Sequence, residues 1–152
     1  MTRDERLLRE QFRSLTDRAQ KAAEALTYTW KRIGDVEALL QLAATAEGKE
    51  RLDSLTSRFA RLADVLTQQV FRLADQLDYL EEGSFIDRLN RAEKRGWIES
   101  SDDWRRIREL RNQISHQYSD EKWRSIVQEV FRYVPVLLEC VARIPDVRDA
   151  KK

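Results

Sequence analysis

Apolar residues recur every three or four positions along most of this chain, the spacing that places side chains on one face of an α-helix. The first apolar stripe predicts a long helix from about residue 4 to the low forties, and a break near Gly34 is compatible with it. The segment "ATAEGKE" that follows predicts a turn around Gly48. The first stripe consists of Leu8, Phe12, Leu15, Ala19, Ala22, Leu26, Trp30 and Ile33.

A second stripe predicts a second long helix. Val65, Phe71 and Leu80 widen its apolar face, and Gly83 in "EEGS" is expected to cap its C-terminal end. Its central residues are Leu52, Leu55, Phe59, Leu62, Leu66, Val70, Leu73 and Leu77.

Three shorter helices are predicted in the second half of the chain. Ser84 is expected to cap a short third helix that ends at Gly96, and "SSDDW" supplies an N-cap and early acidic residues for a fourth helix over about 102–117. A fifth runs from about 120 to 144, where Pro135 is expected to bend or interrupt it. The tail, residues 145–152, is expected to fray. The apolar face of the fifth helix consists of Trp123, Ile126, Val127, Val130, Phe131, Val134 and Leu138.

These five helices predict one domain over residues 1–152, an all-α, up-and-down helical bundle. Glycine and proline are scarce, with four and two residues, which argues against an all-β fold that needs many turns. Charged residues make up 36% of the chain, well above the roughly 25% of an average domain, as expected for long helices with solvated outer faces.

The charge balance and the single cysteine limit which partners and which cellular compartment the sequence predicts. The net charge of +1 gives no polycation, so composition alone does not indicate a nucleic-acid partner. Cys140 has no second cysteine to pair with, and its apolar surroundings predict a small buried residue in a reduced, cytoplasmic protein. The charged N-terminus is unlike a signal peptide, and no apolar stretch is long enough to predict a membrane span.

The only histidine, His116, lies in "ELRNQISHQYSD". On a helical wheel Arg111, Asn112, Ser115 and His116 share a polar face opposite the apolar side chains of the predicted fourth helix. Histidine can exchange protons near neutral pH, and arginine can hold a phosphate. The set suits metal-free RNA cleavage with His116 as general base, although an ordinary surface network of caps and ion pairs explains the same residues about as well.

Arg111 and His116 are about 140° apart on that wheel, so one straight helix cannot direct both side chains at one small group. Either the helix frays near Ser115 or a second chain supplies the partner residue. The second alternative predicts a symmetric homodimer whose helices face each other across a cleft. One histidine and one cysteine cannot form the usual nitrogen and sulfur ligand set, so no metal site and no cofactor are expected.

The motif "RNQISHQY" resembles the R-x4-H-x-Y form of the HEPN superfamily, with Arg111, His116 and Tyr118 in the motif positions. The segment "GWIESSDDWRRIRELRNQISHQYSDE" is similar to the HepT-like branch, and the order of two long helices followed by shorter ones also resembles a HEPN domain. Recognisable sequence covers about residues 84–123. The first half matches only in pattern, which leaves open a contribution from the second helix, such as Asp64.

The resemblance implies an all-α homodimer and a metal-independent endoribonuclease, the toxin of a toxin–antitoxin pair. It implies that Arg111 and His116 are catalytic in a site shared by two protomers and that Asn112 supports them. Tyr118 would accept AMP from an MntA-like nucleotidyltransferase antitoxin, which silences the toxin. A similar branch implies instead a non-catalytic nucleotide- or substrate-binding companion of a small nucleotidyltransferase, and an interaction module without a site is a third alternative.

Arginine and lysine residues flank the motif on its N-terminal side. Five acidic residues lie among them, so the segment carries a charge of only +3 and is more typical of a solvated helix face than of an RNA track. It supports the ribonuclease hypothesis only modestly. The basic residues are Arg88, Arg91, Lys94, Arg95, Arg105, Arg106, Arg108 and Arg111.

Overall fold

The structure, a computed structural model, describes residues 2–145 and is all-α over that range. The predicted frayed tail lies outside the described residues except for Pro145. The described helices are α1 (Arg3–Ile33), α2 (Val36–Gln41), α3 (Ala46–Asp64), a π-helical segment (Val65–Val70), α4 (Phe71–Leu77), α5 (Phe85–Lys94), α6 (Ser101–Ile114) and α7 (Asp120–Arg143).

The α3 helix, the π-helical segment and α4 follow one another without a break and form one long central helix. The helix α2 separates from α1 at Gly34, which adopts a φ of 65° that favours glycine. The prediction of about five helices is therefore close, and α2 is the additional one. The predicted all-α bundle is confirmed.

Short polar residues cap the N-terminal ends of the helices, as the sequence predicted for α5 and α6. Ser84 forms a capping box with Asp87 at the start of α5, and Ser100 caps α6. The predicted turn around Gly48 is wrong, because Thr45 caps α3 and Gly48 lies within its first turn. A Cβ atom at Gly48 would lie 1.9 Å from the carbonyl oxygen of Leu42, so the close approach of this connection requires glycine.

The two glycines that were predicted at the C-terminal ends of helices differ in outcome. Gly96 has a φ of 81° and ends α5 in a Schellman motif, in which Trp97 N–H donates to the Ala92 carbonyl at 3.0 Å. The prediction for Gly83 is wrong. The central helix ends earlier, at Leu77, and Tyr79 takes the left-handed position with a φ of 59°. A non-glycine residue in that position gives no composition signal, which explains the error.

Contacts between side chains give the directions of the helices. The α1 helix is antiparallel to the central helix, since Arg58 donates to the Thr29 hydroxyl while Arg18 donates to Gln69. The α6 helix is antiparallel to the central helix, as the contacts Arg111–Asp64 and Trp104–Phe71 show. The α7 helix is antiparallel to α6, as the contacts Arg106–Glu129 and Arg143–Glu99 show. The predicted up-and-down arrangement is confirmed.

The central helix supplies more of the core than any other helix described, and it contacts α1, α5, α6 and α7. All of the second predicted stripe is buried except Leu77, which is partly buried, whereas Leu80 is exposed. Pro135 does not interrupt α7, which continues to Arg143. Cys140 is buried as predicted, and this burial raises the pKa of its thiol.

Within residues 2–145, no helix has both the length and the apolar character that crossing a bilayer requires.

Candidate functional site

Arg111 lies in the last turn of α6, and its guanidinium is held by two groups. It donates to both carboxylate oxygens of Asp64, from Nε to Oδ1 at 2.8 Å and from Nη2 to Oδ2 at 2.9 Å, and its Nη1 donates to the Ser115 hydroxyl at 3.0 Å. The apolar residues of α6, Trp104, Ile107 and Leu110, are buried against the core and direct Arg111 towards α3. The sequence therefore fixes both the position and the orientation of this cation.

The ion pair leaves part of the guanidinium available. Arginine has five N–H donors, and the bonds to Asp64 and Ser115 use three of them. Two donors on Nη1 and Nη2 therefore remain for another acceptor, such as a phosphate oxygen. The bonds to Asp64 raise the pKa of Arg111 above its ordinary value, so the group stays charged.

The fourth helix was predicted to continue to about residue 117, but α6 ends at Ile114 and Ser115 is its C-cap. His116 and Tyr118 therefore lie on the connection between α6 and α7, and the predicted position of His116 on the helical wheel is wrong. The helix closes there because the N–H groups of Ser115 and His116 donate three residues back, to the carbonyls of Asn112 and Gln113, at 3.3 and 3.1 Å. The end of α6 near Ser115 agrees with the alternative in which the helix frays there.

His116 is exposed, and its ring has no hydrogen-bond partner among residues 2–145. Its backbone N–H donates to the carbonyl of Gln113 at 3.1 Å, which holds the chain in a tight turn. The imidazole meets the ring of Tyr118 edge-on, with 6.4 Å between ring centroids. The connection thus places His116 and Tyr118 side by side, with the histidine open to a ligand or to a partner chain.

Asn112 and Arg111 line an open cleft of about 510 Å³ between α6 and the central helix. The opposite wall begins at Asp64 and continues into the π-helical segment, where Phe71 N–H bonds to the carbonyl of Leu66 five residues earlier. Such π-helical turns are rare and occur frequently at functional sites. The residues that line the cleft are Ala63, Asp64, Thr67, Gln68, Gln69, Ile107, Arg108, Arg111 and Asn112.

The sequence pattern did not assign Asp64 its contact with Arg111. One signal was available: Asp64 is the only charged residue in the otherwise apolar or uncharged stretch "LADVLTQQVF". A carboxylate at such a position requires a partner, and Arg111 is that partner. The π-helical segment had no signal, because the apolar stripe continues through it with ordinary spacing.

The basic residues before the motif divide into two groups. Three of them hold the fold together: Arg91 and Arg95 both bind the buried carboxylate of Asp75, and Arg106 binds Glu129 through two bonds of 2.6 Å. Arg88, Lys94, Arg105 and Arg108 have no carboxylate partner within the described range. Part of the predicted run therefore consists of structural ion pairs, and only the remaining residues are available to an anion.

No group of three histidine, cysteine, aspartate or glutamate side chains in the described part of the chain is arranged to hold a metal ion. The chain matches no family model, no curated protein and no solved structure. The function is therefore inferred from the geometry of the cleft and of the connection after α6.

Proposed function

We propose that this protein is a metal-independent endoribonuclease of the HepT-like HEPN type. One observation carries the proposal: Arg111 is fixed by Asp64 with two N–H donors free, and the only histidine follows directly after the end of the same helix, exposed and unpaired within residues 2–145. A positioned cation and a free base at one end of a helix are the two groups that RNA cleavage by its own 2′-hydroxyl requires.

The chemistry assigns each residue one step. His116 removes the proton of the 2′-hydroxyl, and the 2′-oxygen attacks the adjacent phosphorus. The bond from phosphorus to the 5′-oxygen breaks, and the leaving oxygen takes a proton from water or from an imidazolium. Arg111 binds the phosphate oxygens while negative charge grows on them. The products end in a 2′,3′-cyclic phosphate and a 5′-hydroxyl, and DNA is not cut because it lacks the nucleophile.

Tyr118 is the proposed acceptor of AMP from an MntA-like nucleotidyltransferase. It is 38% exposed and touches the edge of the His116 ring, so a modifying enzyme can reach it. AMP attached there adds a bulky anion next to the proposed base. That anion competes with substrate phosphate for the same positive charge, which makes the modification inhibitory.

A homodimer is part of the proposal. His116 and the cleft at Arg111 are both on the surface, and neither Asn112 nor any other described side chain bonds to the imidazole. A second protomer that faces this end of α6 supplies the surroundings that the histidine lacks within one chain.

The test is cleavage of total RNA by wild-type protein whose freedom from AMP is shown by intact mass, with and without EDTA. We expect cleavage that EDTA does not change and that His116→Ala and Arg111→Ala each reduce by roughly 10²–10⁴. Arg111→Lys is expected to retain little cleavage activity, because the point charge of a lysine ammonium does not reproduce the planar set of donors of a guanidinium. Gln117→Ala, on the same exposed connection, is the matched control and retains activity. AMP-free wild type that leaves RNA intact contradicts the proposal.

A non-catalytic companion that binds a nucleotide or substrate for a small nucleotidyltransferase is the second candidate. The unpaired ring of His116 favours it, since a general base is usually oriented by a hydrogen bond to its second nitrogen. Under this alternative the same cleft binds the ligand, and neither His116→Ala nor Arg111→Ala changes RNA, because none is cut.

A further inference from the structure

Arg88 is a buried arginine whose guanidinium has no hydrogen-bond or ion-pair partner among residues 2–145. Its residue is 7% exposed, its Nε is sealed from solvent without an acceptor, and no described residue accepts a hydrogen bond from its side chain. Buried arginines are ordinarily paired, because leaving the charge unpaired is costly. In this molecule Arg91 and Arg95 follow that rule by sharing Asp75, and Arg88 on the same helix does not.

A second unpaired arginine lies beside it. The Cζ atom of Arg108 is 4.1 Å from the centroid of the Phe85 ring, and the Cζ atom of Arg88 is 5.7 Å from the same centroid. The two guanidinium groups are therefore separated by no more than the sum of these distances. The buried Phe85 ring keeps both near one place and partly compensates their charge through cation–π contacts.

The charges around Arg88 are not balanced within the protein. Burial lowers the pKa of Arg88, and the neighbouring guanidinium groups of Arg72 and Arg108 lower it further. The nearby carboxylates are engaged elsewhere: Asp75 binds Arg91 and Arg95, and Glu82 lies 3.7 Å from Arg72. Asp75 and Glu82 offset the positive potential at Arg88 only in part, so an anion that enters this cluster still gains from it.

Arg108 connects the cluster to the cleft described above. It lines the cleft together with Arg111 and Asn112, and it lies one turn before Arg111 on α6. A chain of phosphates that occupies Arg111 would continue along α6 towards Arg108 and Arg88. Arginines on consecutive turns along one cleft offer successive contacts to a polymer with a repeated anion, as the backbone of single-stranded RNA has.

We propose that Arg88 and Arg108 form a second phosphate-binding subsite, which holds a backbone phosphate of single-stranded RNA next to the one held at Arg111. The inference deepens the proposed ribonuclease function and rests on it for the identity of the substrate. The subsite binds and positions RNA and takes no part in bond cleavage. The residues assigned to it are absent from the R-x4-H-x-Y motif.

The experiment measures RNA binding apart from cleavage. Fluorescence anisotropy of a short labelled single-stranded RNA is recorded with full-length protein that carries His116→Ala, and Arg88→Met or Arg108→Gln is added to it. We expect each to weaken binding about tenfold, the loss of one charge-assisted contact, and to reduce the slope of log K against log salt by about 0.7. Arg105→Gln, an exposed arginine of α6 outside the cluster, is the matched control and stays within about twofold of the parent.

Stability gives a second readout. Because the Arg88 charge is buried without a partner, Arg88→Met is expected to melt at or above the temperature of the parent protein. RNA is expected to raise the melting temperature of the parent more than that of Arg88→Met. If Arg88→Met fails to fold, Arg108→Gln still tests the subsite, because Arg108 is exposed.

Two results overturn the inference. One is RNA binding by Arg88→Met and Arg108→Gln with the affinity and salt slope of Arg105→Gln. The other result concerns free ligands. If AMP or inorganic phosphate raises the melting temperature of the parent but not of Arg88→Met, and RNA binding is unchanged, the cluster binds a free nucleotide or phosphate instead. Both are measured without cleavage, so failure of the nuclease proposal and failure of the subsite are distinguishable.

Discussion

Arg111 on α6 and Asp64 at the end of α3 form a two-pronged ion pair across 47 positions of sequence, with donor–acceptor distances of 2.8 and 2.9 Å. The pair joins α6 to the central helix at the start of the π-helical segment. Their side chains are 32% and 41% exposed, so water screens the attraction and the pair adds little to stability. Its consequence is orientation: Asp64 fixes the plane of the guanidinium and leaves the outer donors free.

Asp64 is therefore predicted to be a positioning residue. Asp64→Ala should slow single-turnover RNA cleavage about tenfold, because Arg111 loses its fixed orientation. The same change should leave RNA binding unchanged or tighter in the His116→Ala background, since it removes a negative charge from the cleft. Asp64→Asn, which keeps one acceptor, should fall between Ala and wild type.

The matched control is Asp53→Ala, an exposed aspartate on the same helix without an ion pair among the described residues. It should cleave as fast as wild type. Equal loss of binding and cleavage in Asp64→Ala, together with a lower melting temperature, would indicate a structural role and contradict the positioning role.

The fold was predictable because apolar periodicity and capping chemistry act locally. The stripe from Leu52 to Val70 lies in the core, and Ser84 and Ser100 cap the helices for which they were predicted. Two predictions at turns were wrong because the sequence pattern gives no signal for the structure found there. Gly48 is required by the carbonyl of Leu42 across a connection, and Tyr79 takes a left-handed position that glycine usually fills.

The candidate site was predictable only in part, for a related reason. The motif residues Arg111 and Asn112 lie together in a cleft, but the contact with Asp64 is non-local and spacing within one helix cannot reveal it. The wheel position of His116 failed because α6 ends in a tight turn at Ser115, about one turn earlier than predicted. The start of α7 at Asp120 agrees with the prediction, and the end of α6 carries no glycine or proline that would mark it.

The pair Arg106–Glu129 is predicted to make stability depend on acidic pH. The hydrogen bonds from Arg106 lower the pKa of Glu129 below its ordinary value of 4.5. A depressed carboxyl pKa stabilises the fold above the unfolded-state value, and this contribution disappears as pH falls through the folded-state value. Glu129→Gln should therefore lower the free energy of unfolding by about 1 kcal/mol at pH 7 and by progressively less below about pH 4.5.

Urea unfolding of wild type and Glu129→Gln over a pH series measures this difference. Glu10→Gln, an exposed glutamate of α1 that forms no ion pair within residues 2–145, should show no such dependence. A Glu129→Gln deficit that stays constant from neutral pH to pH 3 would show that the ion pair is not its cause.

Tyr118 is predicted to be the residue that accepts AMP. Incubation with an MntA-like nucleotidyltransferase and ATP should add AMP mass to wild type and none to Tyr118→Phe. Tyr118→Phe should still cleave RNA in the presence of the antitoxin, because the phenolic oxygen has no assigned step in cleavage. Tyr28→Phe, which removes another exposed tyrosine hydroxyl, should be modified and silenced like wild type. Mass added to Tyr118→Phe would assign the acceptor to another residue.

The shared site predicts complementation between two inactive proteins. Arg111→Ala and His116→Ala are each expected to be inactive as homodimers. If Arg111 of one protomer acts with His116 of its partner, subunit exchange produces heterodimers in which one of the two sites keeps both residues. Random exchange makes half of the dimers mixed, so activity should return to about a quarter of the wild-type value.

The alternative gives a different result from the same mixture. If both residues act within one chain, every protomer in the mixture lacks one of them, and mixing restores nothing. As a control, the two variants are assayed in separate tubes and their activities are added. Comparison of this sum with the activity of the mixture removes any contribution from residual activity. Sedimentation at micromolar concentration accompanies the assay, because the shared site requires a dimer at the concentration of the assay.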